Sequence, residues 1–309
     1  MKKIKFIDLF AGIGGFHLAL HSLGADCVYA SEIDRHARNT YELNFKKKSP
    51  NVFKNNYEKF NQDILTENYS KIPNFDILCA GFPCQPFSQA GHKRGFKENY
   101  ESRGNMFFAI RDIIKEKKPK AIFLENVRHL IKHDNGHTFR VIRKTIEEDL
   151  KYSFNYKIIK ASDYGLPQHR PRVYIVGFKN ESTEESDFIF PNKIPLKLNM
   201  SDIFGAKCNR EIGFTLRVGG GRSPIDDRRN WDGYIVNNKI VRLSSEEGKK
   251  MMGLPKNFKF PVNENQAMKQ LGNSVAVPAV KHTAKQIIKY LTNRKSFKII
   301  NKNLKFNFS

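Results

Sequence analysis

Between Lys3 and Gly177, short apolar runs alternate with longer segments of helical pattern. A chain of that kind is best satisfied by a mostly parallel sheet with helices covering both of its faces. The strand candidates are 4–10, 27–31, 75–80, 121–125, 153–160 and 172–178, and the spacing predicts helices over 14–23, 35–44, 104–117 and 136–150. After Gly177 the pattern breaks: 180–186 is polar, and the chain onward to 260 is rich in Gly, Pro, Asn and Arg, with only short strand-like pieces. The expected class is therefore α/β, a doubly wound, mostly parallel sheet over 1–179 followed by a second, smaller, loop-rich domain over 180–262. Residues 263–309 supply two further helices, 265–271 and 276–291, which return to the first domain ahead of a loose basic tail, 297–309. A length of 309 residues is enough to bury a full core.

Charge narrows the partners. The 54 Lys and Arg against 31 Asp and Glu leave a formal charge of +23, which suits a polyanion held through phosphate contacts better than a membrane surface. From Asn265 onward there are nine basic residues and no acid, either a solvated helix face or a direct contact. The four cysteines, Cys27, Cys79, Cys84 and Cys208, contain no CxxC pair, so neither a disulfide framework nor a zinc site is expected, and a reducing compartment is. Lys2, Lys3 and Lys5 precede an apolar stretch that Asp8 interrupts, which reads as a first strand rather than a secretory signal. No apolar run reaches the length of a membrane span.

Chemistry gathers where strands should end. In Gly81-Phe82-Pro83-Cys84-Gln85-Pro86-Phe87-Ser88 a thiol stands on a Pro-bracketed turn after an apolar run, the place where open α/β sheets bind ligands. Cys84 is either a nucleophile there or a small buried hydrophobe, as Cys79 is expected to be. Phe10-Ala11-Gly12-Ile13-Gly14-Gly15-Phe16 runs from a strand through a glycine turn into a helix, so backbone amides can approach a ligand. Glu32 stands twenty residues beyond Gly12, where such folds place a carboxylate on ribose hydroxyls. His17 occupies the position of the third glycine of a dinucleotide fingerprint, which disfavours a pyrophosphate and favours an adenosyl ligand without phosphates. Asp63 either reaches an adenine amino group or caps a turn. Glu125 and Asn126 end a buried-looking strand, where a carboxyl group can stay protonated and donate to a ring nitrogen, or cap the following helix. Arg170 and Arg172 alternate in Gln168-His169-Arg170-Pro171-Arg172, so an extended backbone would point them to opposite sides.

Together, Phe10 to Gly15, Pro83-Cys84-Gln85, Glu125-Asn126-Val127, Gln168 to Arg172 and Gly272-Asn273-Ser274, in this order, closely resemble the DNA (cytosine-5)-methyltransferases of bacterial restriction-modification systems. The resemblance covers nearly the whole chain, and Thr215-Leu216 looks like that family's short element in its target recognition domain. It implies a Rossmann-like, S-adenosylmethionine-dependent methyltransferase fold and an enzyme that methylates carbon 5 of a flipped-out cytosine in a short duplex DNA site. Cys84, on the turn behind Pro83, would add to carbon 6; Glu125 would serve N3, Arg172 would hold O2, and Asn126 would support them. Phe10, Ala11, Gly12, Gly14, Gly15, Phe16, Glu32, Asp63, Asn273 and Ser274 would bind S-adenosylmethionine, leaving S-adenosylhomocysteine, with no metal. Ser88, Lys93 and Arg94, on a lid after the nucleophile, would meet DNA together with Arg170, Thr215, Arg217, Arg222, Arg228 and Arg229; Asn230 is a further candidate. A monomer in the bacterial cytoplasm, on the nucleoid, is expected, since one active site and one recognition domain suffice to modify one strand per visit; any cognate restriction endonuclease would act independently. Three alternatives stay open at this stage: an RNA cytosine methyltransferase, a DNA-binding protein with a dead site, and a nicotinamide-dependent oxidoreductase.

Overall fold

The central strands are those whose sequences are largely apolar, because helices cover both of their faces. β1 (Lys5–Leu9), β4 (Ile77–Gly81) and β5 (Ala121–Val127) are almost wholly buried. With β2 (Asp26–Ser31), β3 (Phe60–Asn61), β6 (Asn155–Lys160) and β7 (Pro171–Phe178) they form one sheet in the order β3-β2-β1-β4-β5-β7-β6. β1 to β5 pair in parallel, and β7 inserts antiparallel between β5 and β6. The order reverses between β1 and β4, which opens a crevice at their carboxyl ends where sheets of this class take ligands. The computed structural model describes residues 3–55, 58–83, 106–183, 186–219 and 221–306, from 294 onward by backbone alone.

Successive residues along each strand serve opposite cores. Phe6, Cys79 and Phe123 enter one hydrophobic cluster, and Ile7, Leu78 and Leu124 enter the other, as a side-chain period of two requires. The first cluster is closed by α1 (Gly15–His21) and α8 (Val277–Phe306), the second by α3 (Met106–Lys117) and α4 (His137–Lys144). α2 (Arg35–Phe45) starts at Asp34, whose carboxylate accepts the His36 and Ala37 amides. β3 is only two residues long and carries no pattern that a sequence could announce. The final helix runs to Phe306, beyond the expected end at Leu291 and into the segment expected to be loose. No Gly or Pro stands between Leu291 and Phe306 to stop it.

Between 180 and 262 regular structure is sparse. It consists of α5 (Met200–Phe204), the hairpin of β8 (Gly233–Val236) and β9 (Lys239–Arg242), and α6 (Ser245–Met251). Asn237 and Asn238 both adopt positive φ, the geometry of a two-residue hairpin turn. Leu216, Trp231 and Tyr234 lie in the same apolar cluster as Leu271 of α7 (Glu264–Asn273) and Phe123 of the sheet. Among the described residues no helix is long and apolar enough to cross a membrane, and no group of three or more His, Cys, Asp or Glu could hold a metal.

Candidate active site

The glycine turn after β1 is held from below and from both sides. Asp8, fully buried in β1, accepts the His17 amide at 3.2 Å and so ties α1 to the strand; burial raises its carboxyl well above the usual carboxylate range. Gly14 sits at φ +85°, and a Cβ there would lie 2.3 Å from the Phe45 ring. A Cβ on Gly15 would lie 2.5 Å from Val275 Cγ2. Gly12 differs from both, since a Cβ would meet nothing within 4 Å, which leaves space over the turn. His17 faces inward, stacked on Phe45 at 4.1 Å, with Nδ1 2.6 Å from Tyr41 Oη and Nε2 2.9 Å from Ser49 Oγ. Burial keeps it neutral by lowering its pKa. The helix face that a third glycine would leave open is thus filled by packing against α2.

Glu32, just beyond β2, turns its carboxylate back to the turn. Oε2 accepts the Gly12 amide at 2.7 Å and Oε1 the Asp34 amide at 2.8 Å, while burial raises its pKa. Each oxygen keeps a lone pair for a further donor. Asp63 lies two residues past β3, and its Oδ1 accepts the Leu65 amide at 3.0 Å, the capping role. On the other side of the turn, Ser274 is buried, and its Oγ finds no hydrogen-bond partner among the described residues. That hydroxyl lies 3.3 Å from the Cβ position of Gly15, so an unsatisfied polar atom borders the glycine turn. Asn273 beside it is exposed, and Phe10 and Gly12 are half-buried, whereas Ala11 and Phe16 are buried.

β5 carries the acid to the same crevice. Glu125 pairs in register with Gly81 on one side and Tyr174 on the other. Arg172 Nε lies 3.1 Å from Glu125 Oε1, with the two side chains only 14% and 9% exposed. Burial raises the Glu125 pKa, while the charges of Arg172 and Arg170 oppose the rise. Asn126 donates to the Phe82 carbonyl at 2.9 Å and accepts the Val127 amide at 2.8 Å, which fixes the backbone entering exposed Pro83. A Cβ on Gly81 would lie 3.7 Å from Glu125 Oε2 and from Phe16 and 3.8 Å from Val275, so the acid and the glycine turn meet at one strand end. Cys84, Ser88, Lys93 and Arg94 lie outside the described residues.

Two expected nucleic-acid contacts are corrected by burial. Arg170, 2% exposed, does not reach the surface: Nη1 donates to the Leu216 carbonyl at 3.1 Å, and Nη2 to the Gly272 carbonyl at 2.8 Å and to the Ser274 carbonyl. Burial pulls its pKa down to about 9, helped by the charge of Arg172. Its φ of +20° breaks the extended course on which the alternation of Arg170 and Arg172 depended. Asn230 is likewise buried and closes a turn, bonding Ile225 and Gly233. Arg217, Arg222, Arg228 and Arg229 are exposed and Thr215 is half-buried; Arg229 pairs with Asp227 at 2.7 Å.

Some side chains that build this region were assigned no role from the sequence. Gln168, fully buried, donates to the Met251 carbonyl at 2.9 Å and accepts the Leu216 amide at 3.1 Å, so it acts with Arg170 to pin the segment carrying Thr215. Arg242 pairs with Asp232 at 2.9 Å, and Asp232 in turn accepts the Arg222 amide. Their partners are ten to eighty-three residues away, and no local spacing marks them.

The family model for C-5 cytosine-specific DNA methylases matches residues 4–218 and 215–289. The chain is 37% identical to Type II methyltransferase M.HhaI of Haemophilus parahaemolyticus, over 92% of this chain and 94% of that one. It is 36% identical to Type II methyltransferase M.HpaII of Haemophilus parainfluenzae, over 94% and 91%. Among solved structures, the Entamoeba histolytica methyltransferase EhMeth superposes with a TM-score of 0.69 at 18% identity, over 94% of this chain and 99% of that one. The S. pombe Dnmt2 methyltransferase gives 0.67 at 18% identity, over 94% and 99%; at such identities the likeness is one of fold.

Proposed function

The chain belongs to the family of C-5 cytosine-specific DNA methylases, and we propose that its Cys84, Glu125 and Arg172 carry out methylation through a covalent bond to the cytosine ring. It is a DNA cytosine-5 methyltransferase of the restriction-modification type. The observation that carries the proposed residue roles is the shielded Arg172–Glu125 pair, set at the strand end that Gly81 shares with the glycine turn.

Carbon 5 of cytosine is a weak nucleophile until electrons are pushed into the ring. Cys84, as thiolate, bonds to carbon 6, and the electron pair moves toward N3. Glu125 meets it there: burial raises its pKa, so the carboxyl can take up a proton and donate it to N3, while the opposing charges of Arg172 and Arg170 keep that proton transferable. Arg172 also holds O2 and fixes the acid. Asn126 holds the Phe82 carbonyl and so fixes the backbone that leads into Pro83. S-adenosylmethionine, when bound, supplies an electrophilic methyl group for carbon 5. Loss of the carbon 5 proton then returns the electron pair that breaks the Cys84–carbon 6 bond. The base must leave the duplex stack to be reached.

The residues present fit an adenosyl ligand. Space lies over Gly12, Glu32 has lone pairs for two hydroxyls, and the unsatisfied Ser274 Oγ borders the turn. In this reading Phe10, Ala11, Gly14, Gly15, Phe16, Asp63 and Asn273 complete the site. Residues 180–262 act as the target recognition domain, with Thr215, Arg217, Arg222, Arg228 and Arg229 facing duplex DNA. Ser88, Lys93 and Arg94 contribute further DNA contacts. The enzyme works as a monomer on the chromosome in the cytoplasm, beside an independently acting endonuclease.

Methyl transfer tests the reading. Incubated with duplex DNA and methyl-labelled S-adenosylmethionine, the protein should yield 5-methylcytosine by mass spectrometry of the digested DNA. Label entering a different base, or entering tRNA in preference to DNA, would overturn it.

A further inference from the structure

Arg38 links the ends of two strands that would otherwise be weakly joined. β3 contributes only Phe60 and Asn61 to the sheet, paired with Ala30 and Ser31, and the chain then leaves on both sides. From α2, Arg38 reaches back over these ends: Nη1 donates to the Asn61 carbonyl at 2.7 Å and to the Glu32 carbonyl at 3.1 Å, and Nη2 to the Phe60 carbonyl at 2.9 Å. Its Cζ lies 4.1 Å above the Phe60 ring. A planar fork with five donors reaches the three carbonyls from two nitrogens, a geometry that a lysine ammonium, with three donors on one nitrogen, does not reproduce.

The consequence falls on Glu32. Its main-chain carbonyl is held by Arg38 and its carboxylate by the Gly12 and Asp34 amides, so backbone and side chain are both fixed. Asp34 is also the cap of the helix that bears Arg38, which makes the arrangement a closed loop from Glu32 through Asp34 and α2 back to Glu32. We propose that Arg38 is a positioning residue for the adenosyl ligand, holding Glu32 and the β2–β3 ends in the geometry that receives its ribose. The inference rests on the reading of Glu32 as a ribose-binding carboxylate.

The test compares Arg38→Met, Arg38→Lys and Glu32→Ala in S-adenosylhomocysteine affinity, measured by calorimetry on the full chain, and in steady-state methylation. Losing charge-assisted hydrogen bonds that act through Glu32 should weaken S-adenosylhomocysteine about tenfold in Arg38→Met, with Arg38→Lys in between. The KM for S-adenosylmethionine should rise in parallel, while kcat at saturating cofactor and the KM for DNA stay within about twofold. A general loosening of the fold would instead lower the melting temperature and degrade every kinetic constant together. Unchanged affinity in both Arg38 variants alongside a loss in Glu32→Ala would overturn the role of Arg38. Unchanged affinity in Glu32→Ala would remove the reading beneath it.

Discussion

Replacing Arg172 by Met should produce a loss of stability that depends on pH, because the partner left behind is a carboxyl that can take up a proton. The ion pair spans 3.1 Å between side chains 14% and 9% exposed. At an effective dielectric constant of about 20, two unit charges at that distance attract by about 5 kcal/mol, and breaking such a shielded pair costs about 3–5 kcal/mol. Glu125 escapes part of that cost by protonation. In the parent, burial already places its pKa above the unfolded value, so the folded state binds more protons than the unfolded one, and this contribution to stability declines as pH rises above the ordinary carboxylate range. Without Arg172 the carboxyl rises further, opposed only by the charge of Arg170. The stability gap between parent and variant should therefore be small at low pH and widen by about 1.4 kcal/mol per pH unit between the two folded-state titrations. Urea denaturation of both proteins from pH 5 to pH 8.5 measures the gap directly. A gap of the same size at every pH would refute the argument that Arg172 keeps Glu125 ionisable.

Further substitutions probe the glycine turn and the corrected arginine. Gly15→Ala drives a methyl group into Val275 and should destabilise by about 1–3 kcal/mol in urea while weakening S-adenosylhomocysteine in calorimetry; a variant matching the parent in both would show that the turn gives way freely. Arg170→Met strands the carbonyls of Leu216, Gly272 and Ser274 and should cost about 3–5 kcal/mol of stability, yet leave the salt dependence of DNA binding unchanged. Arg228→Ala should do the reverse, keeping stability and reducing the slope of log affinity against log salt by about one; a fall in slope for Arg170→Met instead would restore that residue to the DNA surface.

What the sequence disclosed followed burial and locality. β1, β4 and β5 are covered on both faces and so read as largely apolar runs, and the glycine turn is a local feature whose positive φ angles only glycine adopts easily. β3, with two residues, has no periodicity to detect. Arg170 was misjudged because alternation assumes an extended chain, and the backbone turns at that residue. Asp63 could cap or bind on sequence alone, and its bond to Leu65 appears only once the chain is folded. Arg38 and Gln168 act on carbonyls and amides, which every residue carries, so no partner residue type gives them away.

The proposed covalent mechanism meets its most direct test in duplex DNA carrying 5-fluorocytosine at the target position, incubated with protein and S-adenosylmethionine and resolved on a denaturing gel. Fluorine cannot leave as the carbon 5 proton does, so the Cys84–carbon 6 bond should persist. The parent should form a stable protein–DNA adduct only with S-adenosylmethionine present, mass spectrometry should locate it on Cys84, and Cys84→Ala should form none. An adduct and continued methylation in Cys84→Ala would contradict the mechanism.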